Sequence, residues 1–194
     1  DYGRVVKMLT DSGVLVAKDA AAREGERTWM MPMRLPVERP NEVERHWSGE
    51  VPDSTAELQM QCELYDGVVP PGAPERSVAS CQALGQPIET WRAGALVAIP
   101  KEDTKVLLEV QTGSAARGES AWLRVKVRGQ ELNHLLWATM ERFVQSCVLG
   151  VLSEYPGLLF SKEVVCPGCL ARREAEPTTW DADQLLSQEG ECEQ

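Results

Sequence analysis

Glu57-Leu58-Gln59-Met60-Gln61-Cys62-Glu63-Leu64-Tyr65 decides how this chain is read, because apolar and polar side chains alternate along it. A period of two places Leu58, Met60, Cys62 and Leu64 on one face, which predicts a half-buried strand. Downstream, 76–82, 87–92, 94–99, 105–111 and 121–127 read as further strands. Short connections rich in Gly, Pro or charge separate them (Gly85, Gly94, 100–103, 113–118). Strands at such spacing predict an antiparallel meander, closed at Gly129.

The pattern then changes period. Over 130–153, Leu132, Leu136, Met140, Phe143, Val144, Cys147 and Val151 share one arc at about 100° per residue, with Trp137 and Val148 on its edge. This predicts one long helix against the sheet. Leu135 and Leu149 fall outside the arc and, with Trp137, are the candidates for a contact surface. Glu141, Arg142 and Gln145 interrupt the apolar run, so no membrane span is expected here. Tyr155-Pro156-Gly157 ends the helix, and 158–165 reads as one more strand.

Upstream, 2–12 has helical spacing and Gly13 stops it. Two short strands, 14–17 and 28–31, flank a charged tip at 18–27. Helix, strand, tip, strand is the end of a winged-helix module. Pro32, Pro36 and Pro40 follow at four-residue spacing and predict a linker. The expected class is α+β: a winged-helix remnant over 1–36, a proline-rich linker over 37–53, then an antiparallel sheet packed by one long C-terminal helix over 54–171. Residues 172–194 are expected to be a disordered acidic tail.

Charge narrows the function. The 194 residues carry a formal net charge of −10, and residues 174–194 hold seven acids with no Lys or Arg. The remaining body is close to neutral. A basic surface for nucleic acid or anionic lipid is therefore not expected. In the tip, Lys18, Arg23 and Arg27 are cancelled by Asp19, Glu24 and Glu26. The chain opens at Asp1 without Met or an apolar leader, so a longer parent is expected. Cysteine is too sparse for a disulfide scaffold, which points to a reducing, cytoplasmic setting.

No motif argues for catalysis. Gly113 to Ser120 falls one residue short of a phosphate-binding loop, with Glu119 where a lysine would neutralise phosphate. His46 and His134, the only histidines, have no nucleophile tied to them by recognisable spacing. A cysteine enzyme with a histidine base is the weakest alternative. Cys166-Pro167-Gly168-Cys169 is the sharpest local feature. Its spacing suits two zinc ligands, with Cys192 the one obvious third; it also suits a redox dithiol, or structural thiols on a strand-ending turn.

The order of elements, together with Val51-Pro52-Asp53, Val69-Pro70-Pro71-Gly72-Ala73-Pro74-Glu75-Arg76, Trp91-Arg92-x-Gly94, Val127-Arg128-Gly129, Glu154-Tyr155-Pro156-Gly157-Leu158 and Cys166-Pro167-x-Cys169-Leu170, resembles the COR region of Roco proteins. Cys169-Leu170-Ala171-Arg172 and Leu185-Leu186-Ser187-Gln188 look most like its kinase-less leucine-rich-repeat branch. The resemblance implies that 1–36 ends COR-A and that about 54–171 is COR-B. It implies a non-catalytic scaffold that packs on its own Roc GTPase domain and dimerises through the COR-B-like part. Nucleotide binding, leucine-rich repeats and innate-immune signalling would belong to the parent protein. No cofactor is implied.

Overall fold

The computed structural model describes residues 2–11, 14–17, 29–48, 55–114, 119–182 and 184. The alternating stretch forms β3 (Ala56–Leu64), which lies inside the sheet rather than at its edge. On one side it pairs with β7 (Glu119–Gly129), setting Leu58 opposite Val127, Met60 opposite Val125 and Cys62 opposite Leu123. The same register sets Glu57 opposite Arg128 and Gln61 opposite Arg124 on the other face. A slip of one residue would bury those charges, so the pattern locks the register. Arg124 donates to Gln61 Oε1 at 2.9 and 2.6 Å, and Arg128 pairs with Glu57 at 2.6 Å.

β4 (Gln86–Trp91), β5 (Gly94–Ile99), β6 (Thr104–Ser114) and β7 form the expected meander. β8 (Phe160–Val165) then pairs with the free side of β3, and with β9 (Thr179–Asp181) this gives seven antiparallel strands in the order β4-β5-β6-β7-β3-β8-β9. Gly94 has no room for a side chain. A Cβ there would stand 2.1 Å from the Trp91 ring and 2.6 Å from the Leu108 carbonyl oxygen.

Residues 76–82 are helical, which corrects the strand expectation: α3 spans Ala73–Leu84. Gly72 takes φ 83° and turns the chain, a proline stands in the first turn, and Glu75 joins it there. Ser77, Ala79 and Cys81 fit a period of two on paper, but they are small enough to fit a buried helix equally well. Ala73, Ser77, Val78, Ala79, Cys81 and Gln82 are buried, and all but Ala79 recur at helical spacing on one face.

The long helix begins at His134, later than expected, because the Asn133 side chain accepts the Leu136 amide and caps it. It runs as α4 (His134–Val144), a π-turn over Gln145–Leu149, and α5 (Gly150–Leu152). His134–Leu152 meets the length and hydropathy of a membrane span, but half of that window is buried in the fold. Leu136, Met140, Phe143, Val144, Cys147, Val148, Val151 and Leu152 pack with α3 and the inner sheet face in one apolar cluster. Leu132, assigned to that arc from spacing, is instead exposed, since it precedes the helix.

The expected linker contains α2 (Glu42–Ser48), which is a second correction. Val43 and Trp47, one turn apart, are buried against Trp91, Leu96 and Leu107 on the outer sheet face. Arg128 donates to the Trp47 carbonyl oxygen and stands 4.5 Å above its ring. The prolines do break the segment around a 3-10 turn at Pro32–Arg34, but apolar burial restarts helix after Pro40.

At the N-terminal end, α1 (Tyr2–Asp11) and a two-residue antiparallel ribbon, β1 (Val16–Ala17) with β2 (Trp29–Met30), match the expected element order. The tip at 18–27 lies outside the described residues, as do 185–194. The tail is nevertheless structured near its start: β9 (Thr179–Asp181) pairs with β8, setting Trp180 opposite Val164.

Candidate functional site

The long helix leaves part of its apolar surface uncovered on two sides. Between it and strands β3 and β8 lies a groove of about 340 Å³, floored by Leu58, Met60, Met140, Val144 and Val164. Trp137 and Leu149 form its helical wall, Ala182 closes the β9 end, and Gln59, Glu141, Gln145 and Lys162 supply the polar rim. Trp137 is 42% exposed although it is among the largest apolar side chains in the chain. Leu135, also 42% exposed, lines a different cleft of about 240 Å³ with polar walls from Glu102, Asp103 and Gln130.

The structure thus unites Trp137 with Leu149 and separates both from Leu135. Uniform helical spacing gives the opposite pairing. At about 100° per residue, Leu149 falls roughly 40° from Leu135 and roughly 120° from Trp137. The π-turn absorbs one residue, closing with the Gly150 amide on the Gln145 carbonyl oxygen. Everything after it is set back by about one residue, which carries Leu149 to within roughly 20° of Trp137. The same shift brings Leu152 into the core. Met60, Lys162 and Val164 join the groove only through the pairing of β8 with β3, which their own spacing does not announce.

The Cys-Pro-Gly-Cys segment lies where β8 ends. Cys166 donates its amide to the Thr178 carbonyl at 2.9 Å, and Pro167 opens α6 (Pro167–Ala171). The motif therefore starts a short helix, contrary to the plain turn considered from sequence. Cys166 is half-buried and Cys169 is buried. The Cys169 amide, the Cys169 thiol, the Gly168 amide and the Arg172 charge hold the Cys166 thiol below its ordinary range against some desolvation. For Cys169, a backbone hydrogen bond at Thr178 acts downward but is outweighed by the Glu174 carboxylate, burial and the neighbouring thiol, so its pKa is raised. Arg172 Nη2 lies 3.8 Å from Cys169 Sγ, and Arg172 Nε is 2.6 Å from Glu174.

Cys192 lies outside the described residues. Among the described residues, no three His, Cys, Asp or Glu side chains are grouped as metal ligands. His46 stands 3.6 Å from Glu89 on the outer face, and His134 is exposed at the start of α4. A second thiol pair is Cys81 of α3 and Cys147 of the π-turn, which meet in the core, where the hydrogen bond Cys81 donates to Cys147 and burial push the Cys81 thiol well up.

No protein-family model matches the chain, and no curated protein matches it.

Proposed function

We propose that this chain is a non-catalytic scaffold of a Roco-type GTPase. In this reading residues 1–36 are the winged-helix end of COR-A and about 54–171 are COR-B. The domain packs on its own Roc domain and associates with a second copy through the groove side of the long helix. The observation that carries the reading is that groove, where Trp137 and Leu149 present an uncovered apolar wall over an apolar floor. A flank of this kind is the common mark of a protein-docking surface.

The contacts of the motif residues agree with it. Tyr155 Oη donates to the Pro71 carbonyl at 3.0 Å and Arg76 pairs with Glu154, so two of the segments that carry the Roco resemblance clasp each other. Arg92 donates to the Met33 carbonyl at 3.0 Å, and its amide donates to the Pro36 carbonyl at 2.7 Å, fastening the N-terminal segment to the sheet. GTP binding, leucine-rich repeats, a cytoplasmic location and innate-immune signalling belong to the parent protein in this reading.

The test is binding of the purified chain to its Roc domain in the GDP and GTP-analogue states, alongside sedimentation of the chain alone. Self-association, or Roc binding that differs between nucleotides, is the expected result. A chain that stays monomeric at high concentration and binds Roc in neither state overturns the proposal.

A further inference from the structure

We propose that Cys166 and Cys169 form a redox-active dithiol, in which Cys166 attacks a low-molecular-weight disulfide and Cys169 then closes an intrachain disulfide. Two neighbouring thiols with unequal surroundings are what such chemistry needs, and the structure places them so. Cys166 is half-buried and hydrogen-bonds the Cys169 thiol, while Cys169 sits behind it, buried. Arg172 reaches across the pair, 3.8 Å from Cys169 Sγ, so a positive charge faces whichever sulfur is ionised. The lowered pKa of Cys166 and the raised one of Cys169 fit an attacking and a resolving role. Cys81 and Cys147 provide the contrast within one molecule. They are also paired, but sealed in the core with no approach for a reagent.

The exchange balances without a metal or cofactor. The Cys166 thiolate attacks one sulfur of R–S–S–R, forming a mixed disulfide and releasing R–S⁻, which takes up a proton. Cys169 loses its proton and attacks the Cys166 sulfur, releasing the second R–S⁻, which is likewise protonated. The two protein thiols are oxidised by two electrons, and one small disulfide is reduced to two thiols. The new bond lies beside the root of β9, because the Cys166 amide is held by Thr178, the residue before that strand.

The experiment uses the reduced full chain and glutathione disulfide, read by intact mass and by peptide mapping without reductant. The expected result is a loss of two hydrogens, mapped to a 166–169 link, and reversal by excess glutathione. In Cys169→Ser the chain should instead keep one glutathionyl group on Cys166. Iodoacetamide should alkylate Cys166 faster than it alkylates glutathione at neutral pH, in the wild-type chain and without any substitution. The proposal is overturned if both thiols stay reduced at a large excess of glutathione disulfide, if oxidation joins Cys192 to either of them, or if Cys166 reacts no faster than glutathione. Stoichiometric zinc that survives chelator and shields both thiols also overturns it.

Discussion

Single side chains hold several of the tightest positions in this fold. Gly94→Ala forces a Cβ into the Trp91 ring and the Leu108 carbonyl, neither of which is a flexible tip. Overpacking of this kind costs about 1–3 kcal/mol, so the urea midpoint should fall with the slope unchanged. Cys81 makes alkaline stability a second readout. Its thiol keeps its proton in the fold, first through Cys147 and then through burial. A folded-state pKa raised above the unfolded value, about 8.5, gives stability that is complete below that pH and lost as pH rises past it. Thermal melts should therefore drop above about pH 8.5, and Cys81→Ala should flatten that decline. An unchanged slope in the variant would remove Cys81 as the cause.

The π-turn makes its prediction at the level of the element. If Gln145–Leu149 holds one residue more than an α-helix needs, deleting exposed Ser146 should leave Val148, Val151 and Leu152 in the core. Its unfolding free energy should stay within about 1 kcal/mol of the parent, whereas inserting Ala after Ser146 should cost several times that, because the extra residue rotates the same three side chains outward. Equal effects of deletion and insertion would refute the reading of the turn. Helix α2 tests the other face. Trp47→Ala removes the largest contact to Trp91, Leu96 and Leu107 and should cost about 3–5 kcal/mol by equilibrium unfolding. A linker that merely connects two bodies would show almost no cost. That helix was illegible because its signal is two apolar residues, Val43 and Trp47, among prolines and charges. Only the matching patch on β4, β5 and β6 gives them something to bury against.

For the whole molecule, the proposed docking face predicts that Trp137→Glu with Leu149→Ser abolishes self-association while the melting temperature changes little, since both side chains are only partly buried. Sedimentation at matched concentration decides it, and an unaltered assembly state would place the interface elsewhere. The acidic excess lies in 174–194 and the body is nearly neutral. The sequence by itself determined the strand of alternating residues, the meander and the core arc of the long helix, because binary pattern fixes which face is buried. It also named Trp137, Leu149 and the paired cysteines. The tertiary structure decided the rest. It inserted β3 between β7 and β8, turned 73–84 into helix, rotated Leu149 to Trp137 across the π-turn, and set Cys81 against Cys147. Those outcomes depend on what each segment packs against, and a local period carries no record of its partner.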